Sequence, residues 1–152
     1  MSTPAQLLQA DRRRFPGLLP RETLVLRAWL KLHEAEYERL QYNVRVGEGQ
    51  DPGPQYPSDI RAMAVLNTQK RIDAVAYQPG AATIIEVKDR AGPSVIGQLL
   101  VYASLFPLAH PEFPRPGLLI VCNRAVPDIL PAVRAAGIEI EQVDVDYSLL
   151  LS

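Results

Sequence analysis

The stretch from Arg71 to Tyr102 constrains the fold more than any other part of the chain. It begins with two alternating segments, Ile72 to Tyr77 and Thr83 to Lys88, which have the polar and apolar spacing of β-strands. Between them, Gln78-Pro79-Gly80-Ala81 provides the proline and glycine that favour a tight turn. The sequence therefore predicts a β-hairpin, around which the rest of the chain must pack.

A helix is predicted directly after this hairpin. Gly92-Pro93-Ser94 is a typical helix start, and the run from Val95 to Phe106 is apolar nearly all round. A helix of that kind should be covered on most of its sides, and Pro107 should end it. Gln98 is the strongly polar side chain of this run, and burying its amide without partners would cost about 1–3 kcal/mol.

Length and composition indicate one globular domain. The chain has 152 residues, of which 47% are hydrophobic and 22% charged, so it can bury a sizeable core and is not expected to be disordered. Its formal net charge of −1 neither indicates nor excludes binding to nucleic acid. Arginine supplies 13 of the 16 cationic residues, which suits phosphate contacts but is also the bias of a GC-rich genome.

The expected environment is a reducing cytoplasm. Cys122 is the single cysteine, so it cannot form an internal disulfide, and its apolar surroundings predict a buried structural thiol. The N-terminus lacks the order of charge, apolar segment and cleavage site that marks a signal peptide. The run from Val95 to Phe106 is too short to span a bilayer, so no membrane association is predicted.

The remaining patterns predict a single α/β domain at residues 21–152, preceded by a loosely ordered arm at residues 1–20 with one helical turn near residues 6–13. Helical spacing of apolar residues extends to Tyr37 and Leu40, and His33 is expected to pack at the edge of the core. Other predicted elements are a helix at 21–40, a strand at 42–46, an irregular loop at 47–59, a helical turn at 60–66, a buried strand at 118–122, a helix at 127–136 and an edge strand at 138–143.

Three charged residues on the hairpin form the candidate site. If the two strands pair, Asp73 lies beside Glu86, and Lys88 points from the same face as Glu86. Two carboxylates held close together repel each other unless a cation lies between them. Oxygen ligands without a cysteine or a pair of histidines favour Mg²⁺ or Mn²⁺ over zinc. A cation there could activate water and neutralise a phosphate, while Lys88 could stabilise developing negative charge.

These residues resemble the signature of the PD-(D/E)XK nuclease superfamily. Asp73 is followed after twelve residues by Glu86-Val87-Lys88, and Gln98 and Tyr102 resemble the Q-x3-Y element of RecB-type exonucleases. Ile72 replaces the proline that usually precedes the first acid. The resemblance implies a restriction-endonuclease-like fold with an αβββαβ core and a mixed central sheet flanked by helices, here with a C-terminal αβ extension.

The resemblance also implies roles for individual residues. Asp73, Glu86 and the Val87 carbonyl would bind the metal, and Lys88 would assist the attacking water. Members of this superfamily often add an acid from the first helix, and Glu22 matches that acid by position and face. The expected support for the site, or contact with the nucleic-acid strand, comes from Gln98, Tyr102 and Arg71.

The expected activity is that of a metal-dependent deoxyribonuclease acting in DNA repair, recombination or phage DNA processing. DNA junctions, flaps and strand ends are substrates that fit a single small nuclease domain. If the protein resembles a Holliday junction resolvase, it would act as a homodimer. Two alternatives stay open. One is a catalytically idle member of this fold that binds nucleic acid or protein, and the other is an unrelated α/β domain, in which Asp73 and Glu86 would lie far apart.

Overall fold

The computed structural model describes residue 11 and residues 13–151, with the backbone alone at Leu151. Alternating apolar residues and turn glycines produce a mixed five-stranded sheet, as the predicted α/β class requires. The strands are β1 Arg39–Val46, β2 Lys70–Gln78, β3 Ala81–Ala91, β4 Gly117–Ala125 and β5 Glu139–Gln142. The helices are α1 Pro20–His33, α2 Ser58–Thr68, α3 Ser94–Ala109 and α4 Leu130–Ala135, with 3-10 turns at Glu34–Glu36, Pro127–Ile129 and Tyr147–Leu151.

The strands lie in the order β1-β2-β3-β4-β5 across the sheet. Neighbours β1, β2 and β3 are antiparallel, whereas β3, β4 and β5 run parallel to one another. The C-terminal ends of β1, β3 and β4 and the N-terminal end of β2 therefore meet at one end of the sheet. Helices α1 and α3 also begin at this end, because α1 leads into β1 and α3 follows β3. It is called the site end below, and the opposite end is called the far end.

Each face of the sheet carries its own core. The α3-side core packs Phe106 of α3 with strand residues such as Ile84 and Ile120, and it also buries Cys122 as predicted. The α1-side core packs Trp29 and Leu26 against the other face of the sheet. A strand that is covered on both faces carries apolar side chains on both of them, which explains the continuous apolar run of β4.

The first helix is shorter than predicted. It ends at His33 and is followed by the 3-10 turn, and Leu40 already belongs to β1, so the predicted helix at 21–40 is wrong in its last seven residues. Tyr37 and Leu40 nevertheless pack against the α1-side core. Their burial gives an apolar spacing that continues the helical pattern although the backbone has become extended.

The third helix departs from its prediction in two ways. It continues through Pro107 to Ala109, since a proline in the last turn removes few backbone hydrogen bonds. It is also not covered on most sides, because Leu100, Val101 and Leu108 are exposed. The apolar run fixed the existence of the helix but could not indicate which of its faces would be covered.

The remaining differences concern lengths. The helical turn predicted at 60–66 is the full helix α2, and each strand of the hairpin extends beyond its predicted ends. The predicted helix at 127–136 divides into a 3-10 turn and α4, while β5 is the edge strand as expected. The helical turn predicted near residues 6–13 lies almost entirely outside the described residues. None of the described helices combines the length and apolarity needed to cross a membrane.

Candidate metal centre

The hairpin of β2 and β3 opens at its site end. Its paired register runs from Gln78–Ala81 to Ala74–Ile85, so Asp73 and Glu86 come next after the last pair. At this point the Asp73 carboxylate accepts a hydrogen bond from the backbone N–H of Val87, with an Oδ2 to N distance of 2.8 Å. A side chain thus satisfies a backbone donor of β3, and this bond fixes Asp73 beside Glu86.

A reversal of strand faces accompanies this opening. Asn43, which lies between the β1–β2 pairs Tyr42–Ala74 and Val44–Ile72, has a φ of 52°, an uncommon value that asparagine tolerates better than most residues. Tyr42 and Ala74 pack on the α1 side, whereas Val44 and Ile72 pack on the α3 side. Simple alternation would keep residues two apart on one face, so both strands twist where Asp73 lies.

Glu86 is the one buried charged residue among those described, with 3% of its surface exposed. Burial, followed by the hydrogen bond and charge of Asp73, raises the pKa of Glu86 to about 10. Without a cation, Glu86 therefore carries a proton at neutral pH and can share it with Asp73. The predicted convergence of these two carboxylates is confirmed, and the arrangement in which they lie far apart is wrong.

Lys88 and Tyr102 lie within electrostatic reach of Glu86. The ammonium of Lys88 favours the ionised form of Glu86 and partly offsets the effect of burial on its pKa. Tyr102 projects from α3, and its pKa is raised by burial and by the carboxylates of Glu86 and Asp73. Helix α3 thus places a phenol against the carboxylate pair, at the position that the Q-x3-Y pattern predicts.

Two buried acceptor oxygens without hydrogen-bond partners belong to residues predicted for the site. Among described residues, the buried side-chain atoms without a hydrogen-bond partner are Glu86 Oε2, Gln98 Oε1 and Trp29 Nε1. Two of these three atoms are oxygens of residues predicted for the site. Leaving a buried acceptor unsatisfied costs about 1–3 kcal/mol, so both oxygens call for a donor or a cation. The donor set is all oxygen, which suits Mg²⁺ or Mn²⁺.

Glu22 does not complete a cluster of three acids. The described residues contain no group of three or more histidine, cysteine, aspartate or glutamate side chains placed to hold a metal. Instead, Glu22 Oε1 accepts the backbone N–H of Leu19 at 3.0 Å, which stabilises the start of α1. Its charge still acts on Glu86 and adds to the rise of that pKa. Glu22 therefore lies near the carboxylate pair but is engaged in helix capping.

The remaining predicted residues occupy the same end of the sheet. Val87 contributes the N–H that holds Asp73, and its carbonyl role stays a prediction. Arg71, next but one to Asp73 on β2, lies opposite Arg45 of β1. It forms no salt bridge with Asp73, since no such pair occurs within residues 11 and 13–151.

Sequence reasoning missed a second polar group beside Lys88. Asp89 accepts a hydrogen bond from the Tyr147 hydroxyl and lies 3.7 Å from the Arg21 guanidinium, which stacks over the Tyr147 ring at 4.5 Å. Asp89 directly follows Glu86-Val87-Lys88 in the sequence, and this adjacency could have identified it as a residue near the site. Arg21 and Tyr147 are brought together from the two ends of the chain by tertiary packing alone.

Comparison with known proteins leaves the chain without a family assignment. No protein-family model, curated protein or solved structure was found to match it.

Proposed function

We propose that this protein is a Mg²⁺- or Mn²⁺-dependent DNA nuclease with a restriction-endonuclease-like fold of the PD-(D/E)XK type. The observation that carries the proposal is the buried Asp73–Glu86 pair, with Lys88 and Tyr102 beside it. Further support comes from the element order along the chain, which is a helix, three antiparallel strands, a helix and a parallel strand. The intervening α2 is an insertion into that order.

The chemistry follows from how each side chain is held. A divalent cation between the carboxylates would neutralise phosphate charge and lower the pKa of a bound water. Asp73 is preoriented by the Val87 N–H, and Glu86 must release its proton before it can act as a ligand. The Lys88 ammonium can donate to a phosphoryl oxygen or orient the attacking water. Tyr102 holds the position of the Glu86 carboxylate from the α3 side.

The direct test is hydrolysis of labelled DNA with Mg²⁺ or Mn²⁺. Asp73→Asn and Lys88→Met should each lower the rate by about 10²-fold or more, because each removes a group that stabilises charge in the transition state. Glu38→Gln and Lys31→Met are the matched controls, since both residues are exposed and lie towards the far end. Hydrolysis that persists at the original rate in both site variants would contradict the proposal.

The finer substrate assignment is a structure-specific endonuclease, such as a junction-cutting enzyme that acts as a dimer. A small domain with one carboxylate pair cuts one strand, so two copies would be needed to cut two. Comparison of four-way junctions, flaps, single strands and blunt duplexes tests this assignment. A strict monomer in gel filtration, or preferential digestion from strand ends, would favour an exonuclease instead.

A second candidate is a catalytically idle module that binds nucleic acid or protein through the same fold. The observation favouring it is that the described residues hold only two converging carboxylates, with Glu22 engaged at the start of α1. Titration with Mn²⁺ separates the two functions. The nuclease should show saturable binding and a thermal shift that Asp73→Asn abolishes, whereas the idle module should show neither.

A further inference from the structure

Helix α3 has a second apolar face, which points away from the sheet. Its inner face is buried in the α3-side core. On the outer side, five residues follow one another at helical spacing and are exposed: Gly97, Leu100, Val101, Ser104 and Leu108. Leu108 has the most exposed of the three large side chains, at 79%. The described part of the chain therefore leaves an apolar stripe open to solvent, which is called the outer α3 face below.

The outer α3 face carries no charge. None of the 16 residues of α3 is an aspartate, glutamate, lysine, arginine or histidine, whereas each of the other described α-helices contains at least one charged residue. A nucleic acid or a charged peptide would find no oppositely charged group on this face. The cores of stable protein interfaces are likewise poor in charge and rich in apolar side chains, so the face suits a neutral protein surface.

The spacing of the face suits a second copy of the same chain. In a symmetric dimer one surface meets itself, so any charge on it would meet the same charge, and the outer α3 face avoids that repulsion. Leu100 and Leu108 lie four residues before and after Ser104. When two copies of α3 run antiparallel with the two-fold axis at Ser104, Leu100 of each copy lies opposite Leu108 of the other.

Ser104 is suited to the centre of such a contact. Its side chain is small, so the two helices can approach to about 8 Å between their axes. Its hydroxyl donates a hydrogen bond to the Val101 carbonyl of the same helix, with an oxygen to oxygen distance of 2.7 Å. Burial of this hydroxyl in an interface would therefore leave no donor without a partner, and the usual cost of burying a polar group does not arise.

The C-terminal end of α2 extends the apolar surface beside α3. A Cβ atom at Gly47 would lie 3.3 Å from the Leu105 side chain of α3, and one at Gly49 would lie 2.2 Å from the Val65 carbonyl of α2. A short segment at residues 47–49 thus separates the two helices there. Helix α2 buries none of its residues and exposes three large apolar side chains: Ile60, Met63 and Leu66.

The area of this surface sets the strength of the expected contact. A helix of 16 residues is about 24 Å long and about 10 Å wide. Together with α2, helix α3 offers about 500 Å² per copy, or about 1,000 Å² in a dimer, which is the lower end for specific interfaces. Such an area fits a dimer that forms at micromolar concentrations and is too small for copies that fold only as a pair.

We propose that α3 is a dimer interface, in which two copies of the chain pack their outer α3 faces antiparallel around Ser104. Each copy would bring one Asp73–Glu86 pair, so the dimer would hold two centres. Only the use of these two centres to cut two strands rests on the proposed function, because the contact itself is argued from the outer α3 face.

The test is sedimentation equilibrium of the full chain between about 1 and about 200 μM, where a contact of this area should give a monomer–dimer equilibrium. Leu100→Glu/Leu108→Glu should weaken dimerisation by about 100-fold or more, because it places carboxylates opposite each other. Leu100→Lys/Leu108→Lys should do the same. An equimolar mixture of the two variants should restore the dimer, since each glutamate then faces a lysine. The control Leu32→Glu changes an exposed leucine of α1, on the other side of the sheet, and should leave dimerisation unchanged.

A cysteine at the proposed axis tests the geometry of the contact. Ser104→Cys should form a disulfide-linked dimer on mild oxidation, because residues at the axis come within disulfide reach of their own copies. The natural Cys122 is buried and does not compete. Ser94→Cys is the matched control on the same helix. It lies ten residues from the axis, so its two copies would be about 30 Å apart and should not link.

Four outcomes would overturn the interface. These are a monomer at every concentration, a dimer that the glutamate variant retains, no recovery in the mixture, and linkage at position 94 as efficient as at position 104. Flotation with phosphatidylcholine vesicles tests the other neutral occupant, and a monomer that floats with them would assign the face to lipid. Dimerisation without hydrolysis of DNA would uphold the interface and contradict the nuclease. Hydrolysis by a strict monomer would do the reverse.

Discussion

The two ends of the sheet differ in how their polar and charged side chains are paired. At the far end, His33 bridges Glu36 and Glu141, and Phe106 stacks on His110 with ring centroids 4.5 Å apart. At the site end, a carboxyl group is buried, acceptor oxygens lack donors and arginines face arginines. A buried carboxyl group and like charges placed opposite each other cost stability, so their concentration at the site end points to binding there.

The largest expected effect is on stability, at the far end. Phe106 is fully buried and lies near His110 and Phe113, so Phe106→Ala should lower the free energy of unfolding by about 3–5 kcal/mol. Urea unfolding measures the loss, and Phe106→Leu should retain most of the stability because it leaves a smaller cavity. A cost below about 1 kcal/mol for Phe106→Ala would show that the far end is not the stabilising region.

The second effect is a pH dependence that originates at the site end. The pKa of Glu86 is raised from its ordinary 4.5 to about 10, first by burial and then by Asp73. The stability associated with its protonated form is fully present below about pH 4.5 and is lost as the pH rises towards about 10. Over this range, the metal-free protein should lose at most about 1.4 kcal/mol per pH unit from this group.

Glu86→Gln should remove that dependence, because glutamine keeps the shape of the side chain without titrating. Urea unfolding of both proteins in a chelator at about pH 6 and about pH 8.5 measures the difference, and Glu38→Gln serves as the exposed control. If stability fell with pH by the same amount in Glu86→Gln and in the original protein, Glu86 would not be the titrating group.

The third effect is smaller and belongs to the far end. Burial would lower the pKa of His33, but its hydrogen bonds with Glu36 and Glu141 outweigh burial and raise it. Its contribution to stability is therefore present below its ordinary pKa of 6.5 and is lost as the pH rises through the raised value. His33→Gln should cost less than about 1 kcal/mol at about pH 5.5, because the pairs are partly exposed. The cost should shrink at about pH 9, and thermal unfolding at both values checks it.

The smallest effect has the opposite sign. Replacement of Arg45 by glutamine removes one like-charge contact with Arg71 and should stabilise the protein by about 0.2–1 kcal/mol at low salt. The gain should decrease at high salt because screening already weakens the repulsion. A salt-independent loss of stability would mean that Arg45 makes a favourable contact, which would remove the contrast between the two ends.

Local patterns predicted the centre of the fold well. Alternation and the Pro-Gly turn located the hairpin, and its register followed, so Asp73 and Glu86 could be placed side by side from the sequence. Gly137 follows α4 with a φ of 71°, which glycine adopts without strain. These features depend on residues close together in the chain, where short-range geometry leaves few alternatives.

Longer-range features could not be predicted in the same way. Leu40 continued the helical spacing of α1 because both belong to one core, although its backbone is extended. Glu22 matched the expected position of a third acid, but its carboxylate accepts a hydrogen bond from the backbone N–H of Leu19 and caps α1. The two arginine pairs, Arg45 with Arg71 and Arg90 with Arg124, were hidden because each pair joins separate segments of the chain, and a net charge of −1 gave no sign of them.

The sequence by itself determined the hairpin, the α/β class and the pairing of Asp73 with Glu86, because turn chemistry and strand alternation act over a few residues. Tertiary structure alone decided that Glu86 is buried without a partner for Oε2, that Tyr102 faces it, and that unpaired arginines align at the same end. Burial and electrostatic coupling depend on which strands become neighbours. They depend also on α1 and α3, which cover the two faces of the sheet.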